Sequence, residues 1–282
     1  MRKTASPLAL FALLCSAAPV LAQSAPAPVV PCQPPGGFPA FLESFRTYAA
    51  GQGISARTFA AAAGDLVLDQ AVIGYDRAQR RSFSGSFEQF YARRVNAGLV
   101  RRGADLMRRH SALLQRIEQQ FGVPGAVVVA IWGLETGFGA NSGNRSVIRG
   151  VASLAYDCRR PGLFQRELLA ALQIVERGDL TPGEMRGAGH GEIGQTQFLP
   201  SSYVRFAVDF DGNGRRDLIR SVPDVLASTA NFLRGHGWQR GGAWTEGSAN
   251  FAVLQQWNRA SVYQRTIAQF ATRLQEAQTA GR

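Results

Sequence analysis

The chain has 282 residues, 45% of them hydrophobic and 18% charged, which excludes a generally disordered polypeptide and leaves room for one large domain or two intimate ones. Its formal net charge is +11, carried almost wholly by arginine because Lys3 is the only lysine. Such a surface suits a polyanionic partner: nucleic acid, an anionic membrane or an acidic polymer.

Arg2 and Lys3 precede an apolar run from Leu8 to Ala18 and then Val20-Leu21-Ala22. This order of charge, apolar stretch and small residues predicts a signal peptide over residues 1–22, cleaved after Ala22. The run is too short to span a bilayer, and no later segment approaches that length, so no stable membrane insertion is expected. Leu14 before Cys15 argues against a lipid-anchored cysteine. Export makes nucleic acid the weakest partner, and no aromatic-basic motif for it stands out. Residues 23–37 read as a flexible lead rich in Ala and Pro. After cleavage only Cys32 and Cys158 remain, and in an oxidising compartment they are expected to form a disulfide.

Helical spacing of Phe41, Leu42, Phe45 and Tyr48 predicts a helix over Phe38–Ala50, and Ser55 can cap a second through Phe59 to Ala63. Leu66–Tyr75 reads as extended. Phe87–Val95 and Asp105–Phe121 read as helices, then Gly122-Val123-Pro124 breaks the chain. Ala126–Leu134 is apolar on nearly every face and should be buried, with Gly137 and Gly139 ending it. Leu163–Arg177 and Asp224–Gly235 are further helices, and Phe251–Leu274 holds one or two. Residues 275–282 read as a tail. Strands are few, so the expected class is mainly α.

Three constellations carry chemistry. Glu135 ends the apolar helix, on one face with Val128, Ile131 and Trp132. A carboxyl there is poorly solvated when charged, so it should stay protonated and able to donate near neutral pH. The same placement also suits a glutamate paired with a buried arginine. Next, Gly191 to Tyr203 mixes glycines with Gln195, Gln197, Ser201 and Tyr203, neutral donors and acceptors that suit a sugar, although a plain turn has the same composition. Last, Asp209, Asp211 and Asn213 alternate ahead of Gly214, with Asp217 following. That is the front half of an EF-hand loop, with the Arg215 carbonyl as a further ligand. Position 12 is Arg220 rather than Glu, so Asp224 is left to close the site, and Asp217 would act through water. A structural Ca²⁺ is expected; an Asp/Gly-rich turn is the alternative.

In this order and spacing the chain resembles the membrane-bound lytic murein transglycosylase B family. The matching residues are Trp132-Gly133-Leu134-Glu135-Thr136 with Phe138-Gly139, Gly194 to Tyr203, and Ala207 through Asp217. Ala230 to Leu233, His236-Gly237-Trp238, Trp257-Asn258-Arg259 and Tyr263 complete the set. The resemblance implies a catalytic domain over residues 38–274 with a lysozyme-like core at about 110–245, a deep glycan groove and an EF-hand-like calcium loop. The expected signal peptide makes the chain a soluble periplasmic protein, and the resemblance implies an enzyme that cleaves the MurNAc–GlcNAc bond of peptidoglycan strands with Glu135 as its only catalytic carboxylate. The product would be a 1,6-anhydromuramoyl end, without a catalytic cofactor. Gln197, Asn258 and Tyr263 would line the groove, and other cell-wall enzymes are candidate partners. The rival readings are a hydrolytic muramidase and a non-catalytic peptidoglycan-binding protein. The chain departs from the family at Gly189, His190 and Glu192, and Glu192 is read as surface charge rather than as a second groove carboxylate.

Overall fold

A computed structural model describes residues 27–78 and 86–280. The expected signal peptide and residues 23–26 of the lead lie outside this range. The described residues are mainly helical, with a single two-stranded ribbon in which β1 (Arg145–Ser146) pairs antiparallel with β2 (Arg186–Gly187).

The centre is α7 (Gly125–Thr136), where every residue except Glu135 is buried. With no polar face to offer water, it packs on all sides: against α5 (Ala97–Arg109), α6 (Ser111–Phe121), α11 (Val222–Gly235) and α13 (Ser261–Ala280). Gly137 takes a left-handed φ of 60° and stops the helix, its N–H returning to the Gly133 carbonyl. A second layer pairs α8 (Val147–Tyr156) with α9 (Pro161–Glu176), and α3 (Gln70–Ala78) and α10 (Pro200–Phe206) pack on it. One continuous apolar core joins residues from Val30 to Leu274.

Hydroxyl caps punctuate the chain. Ser55 accepts from the Thr58 N–H to open α2 (Ala56–Ala61), and Ser86 forms a capping box with Gln89 on α4 (Phe87–Arg94). Ser146, Ser221 and Ser248 cap α8, α11 and α12 (Ala249–Trp257) in the same way.

Four segments differ from expectation. Leu66–Tyr75 is not extended throughout: the Asp69 carboxylate accepts from the Ala71 and Val72 N–H groups at 3.0 and 3.3 Å and starts α3. Asp105–Phe121 is two helices that part at His110, because the buried face of α5 serves α13 and α7 while that of α6 serves α11 and α7. The last four residues of Gly191–Tyr203 are helical, with Pro200 in the first turn of α10. The expected tail is taken up by α13, which continues to Ala280. In the structure Cys32 and Cys158 are joined with a Cα–Cα distance of 5.4 Å. Among the described residues no single helix is long and apolar enough to cross a membrane.

Candidate active site

Glu135 sits where α7 runs out of apolar neighbours and meets a pocket of about 350 Å³. Gln197, Phe198, Leu199 and Ser202 line it from the loop before α10 and from α10 itself; Phe232 of α11, Gln256 and Trp257 of α12 and Asn258 just after it complete that lining, with Glu192. Phe198, Phe232 and Trp257 meet edge to face with centroids 5.0–5.8 Å apart and form an apolar wall.

One oxygen of Glu135 is doubly held. Its Oε1 accepts from the Trp257 indole N–H at 2.8 Å and from the Tyr263 hydroxyl, also at 2.8 Å. Desolvation at the pocket wall raises the Glu135 pKa above its ordinary value. The two hydrogen bonds pull it back down; the Glu192 carboxylate raises it, and the Arg94 guanidinium lowers it. Tyr263 is itself buried, and the same burial pushes its phenol well up, so it stays neutral and donates. Because Oε1 already accepts two bonds, the carboxyl proton belongs on Oε2, the oxygen left for the pocket. Such a group can protonate a leaving oxygen and then receive a proton as a carboxylate steadied by two donors.

Gln197 and Asn258 present complementary atoms. The Gln197 amide nitrogen donates to the carbonyls of Ser142 at 3.1 Å and Gly194 at 2.7 Å, so it offers the pocket its oxygen. Gln197 holds a left-handed φ of 55°, a strained setting for a residue with a side chain. The Asn258 Oδ1 accepts from the Ala260 N–H at 3.0 Å, so its NH₂ is what remains to donate. An amide-bearing sugar needs both kinds of partner.

Four expected sugar contacts are corrected, the first being Tyr263, which is buried outside the pocket lining and spends its hydroxyl on Glu135. Gln195 is buried: its Oε1 accepts from the Trp132 indole at 2.9 Å and its Nε2 donates to the Ile219 carbonyl, fastening the loop to α7. Ser201 turns away from the pocket and gives its N–H and hydroxyl to the Glu167 carboxylate at 2.8 and 2.7 Å. Tyr203 is fully buried, and its hydroxyl donates to the Arg216 carbonyl. Glu192, read as surface charge, lines the pocket instead. Trp257, quoted within a motif but given no role, touches Glu135 directly, and Ser202 takes the pocket position expected for Ser201.

A second cluster lies beyond α10. Ligand oxygens of Asp209, Asp211 and Asp224 stand within 4.8 Å of one another. Asp224 is buried; its Oδ1 accepts from the Phe210 N–H at 2.7 Å and its Oδ2 from the Asp217 N–H at 2.8 Å. Asp209 gathers the Gly212, Asn213 and Gly214 N–H groups, and the Asn213 Oδ1 accepts from the Arg215 N–H. Three converging carboxylates repel unless a cation joins them, and an all-oxygen set of this kind suits Ca²⁺. Asp217 does not belong to the cluster: its oxygens are held by the Ile219 and Arg220 N–H groups and by the Arg220 guanidinium at 2.7 Å. The Arg215 side chain reaches outward to the Asp179 carbonyl and Glu184.

Residues 37–248 match the model of the transglycosylase SLT domain family. The chain is 31% identical over 159 residues to membrane-bound lytic murein transglycosylase B of Escherichia coli (strain K12), a match covering 56% of this chain and 44% of that protein. It therefore spans about half the length of that relative. Among solved structures it resembles SltB3 from Pseudomonas aeruginosa in complex with NAG-anhNAM-pentapeptide, with a TM-score of 0.79 at 30% identity over 84% of this chain and 79% of that one. It also shares the fold of the Escherichia coli lytic transglycosylase Slt35 in complex with calcium, with a TM-score of 0.67 at 22% identity over 75% of this chain and 84% of that one.

Proposed function

The chain belongs to the transglycosylase SLT domain family, and from that membership we propose that it is a periplasmic lytic transglycosylase acting on the glycan strands of peptidoglycan. In this reading Glu135 serves as both acid and base. Its Oε2 proton passes to the oxygen joining MurNAc C1 to GlcNAc C4, and the C1–O bond breaks. The 6-hydroxyl oxygen of the same MurNAc then bonds to C1, and its proton passes to the Glu135 carboxylate. One glycosidic bond is exchanged for another, water is neither used nor released, and Glu135 ends protonated. This departs from the usual two-carboxylate scheme, in which water or an enzyme nucleophile attacks C1.

The observation that carries this reading is the asymmetry of Glu135, with Oε1 held by Trp257 and Tyr263 and Oε2 left for the pocket. In this reading the pocket belongs to a lysozyme-like groove, the catalytic domain spans residues 38–274, and Gln197 and Asn258 bind the N-acetyl amides. Asp209, Asp211 and Asp224 hold a structural Ca²⁺, with Asn213 and the Arg215 carbonyl completing the set. The ion fixes the segment between α10 and α11 and supplies no chemistry. The disulfide fits an oxidising periplasm.

Glu135→Gln tests the reading, because Gln keeps an acceptor for both donors but is neither an acid nor a base of use. Release of anhydromuropeptides from purified sacculi should fall by more than the roughly 10²–10⁴-fold of a single acid–base step. Activity within tenfold of wild type places the acid elsewhere. The presence of Glu192 in the pocket gives a hydrolytic reading its one structural support, and reducing rather than anhydro product ends would establish it.

A further inference from the structure

Glu192 is a second carboxylate of the pocket, and among the described residues those that line it include no arginine, lysine or histidine. Glu192 is an acidic residue in a protein whose balance is otherwise strongly basic. Its place is fixed from several sides. Oε2 accepts from the His190 N–H at 3.1 Å, and Oε1 lies 3.6 Å from the His190 Nδ1. The His190 ring is buried and stacks on Tyr75 at 4.6 Å. The backbone beside Glu192 is held by bridges from Ile193 to Gly187 and to Phe198. The approach at Gly187 is so close that a Cβ there would stand 1.7 Å from the Glu192 carbonyl oxygen. A side chain with a quarter of its surface open and this much support is a built feature of the pocket wall.

Resting on the lytic transglycosylase reading, we propose that Glu192 is an electrostatic positioning residue: its fixed negative charge keeps the proton on Glu135 at the start of the cycle and offsets positive charge forming on the bound sugar. Both effects follow from one charge in a poorly solvated site. Among the described residues, four groups act on Glu135. Trp257 from the end of α12 and Tyr263 from α13 donate to it, Arg94 from α4 favours its ionised form, and Glu192 disfavours it. Glu192 is thus the group that opposes the other three, and its removal leaves Glu135 a weaker proton holder.

The test compares wild type, Glu192→Gln, Glu192→Asp and Glu135→Gln on purified sacculi across pH 4–9, each variant first checked for a native melting transition. Gln keeps the acceptor for the His190 N–H and removes only the charge. The expected result is a loss of about tenfold in kcat for Glu192→Gln. The alkaline limb of its rate profile should move to lower pH, KM should be nearly unchanged, and Glu192→Asp should retain most of the rate. A lost anchor alone would not move the alkaline limb. Glu192→Gln with wild-type kcat and an unmoved limb overturns the proposal while an inactive Glu135→Gln leaves the transglycosylase reading standing. An active Glu135→Gln overturns both.

Discussion

The hydroxyl of Tyr263 lies 2.8 Å from Oε1 of Glu135, across 128 residues of sequence, and it is buried. A donor held there favours the ionised carboxyl, so it opposes the burial that keeps Glu135 protonated. Tyr263→Phe should therefore move the alkaline limb of the rate profile to higher pH, the reverse of the shift expected for Glu192→Gln. It should also slow the step in which the carboxylate must persist, lowering kcat by up to about 10²–10³-fold, the loss typical of one preorganised donor. An alkaline limb that stays in place or falls would mean that Tyr263 only packs.

Trp257→Phe removes the other donor but keeps a ring against Phe198 and Phe232. The limb should move in the same direction as in Tyr263→Phe, and because both donors serve one oxygen their effects should not add. A double variant whose loss is the product of the two single losses would show that the donors act independently.

What the sequence disclosed tracks what local physics decides. The α7 helix is legible because an all-round apolar run can only be buried, and Gly137 marks its end. The Asp209–Asn213 alternation is legible because its spacing is a backbone property. The directions of Gln195, Ser201 and Tyr203 are not, since a polar side chain beside a glycine looks the same whether it meets solvent or an indole. Gln195 turns inward because Trp132 needs an acceptor, and Ser201 because Glu167, buried and with its pKa raised by that burial, needs donors. The break at His110 carries no Gly or Pro; it is set by which helices α5 and α6 meet. Asp69 and Pro200 did carry helix-start signals, visible once the helices they open are known.

Calcium should stabilise the fold. The buried Asp224 and its neighbours Asp209 and Asp211 repel in the absence of an ion, and a cation that binds only the folded state raises stability by linkage, about 2.7 kcal/mol at a hundredfold excess over Kd. Melting in millimolar calcium should exceed melting in chelator by several degrees, and Asp211→Asn should reduce the difference. Equal melting temperatures in the two conditions would remove the ion from the account.

The Cys32–Cys158 bond closes a loop with a sequence separation of 126, for which chain entropy allows about 4–5 kcal/mol. The N-terminal segment has a second anchor: the buried Gln165 accepts from the Val29 and Val30 N–H groups at 2.7 and 3.1 Å and donates to the Val30 carbonyl. Replacing both cysteines by alanine should lower Tm by roughly 10 °C. Activity of the folded fraction should stay within twofold, since neither cysteine lines the pocket. A large loss of kcat in the folded variant would tie the N-terminus to the site.

Glu135 should also leave a signature in stability, with a sign fixed by its raised pKa. The unfolded carboxyl releases its proton near the ordinary value of 4.5, and the folded one releases it at a higher pH. Between those points the folded state binds more protons than the unfolded state, so stability falls as pH rises. The cost is absent below about pH 4, grows above the unfolded pKa and is complete once pH passes the folded value. Glu135→Gln keeps an acceptor for Trp257 and Tyr263 and has no charge to bury, so it escapes that cost. The variant should melt with wild type at pH 4 and above it at pH 8, with the gap opening in between. Denaturant melts of both proteins across that range measure it directly. A gap that is constant with pH, or that closes as pH rises, would show that the folded pocket does not hold the Glu135 proton.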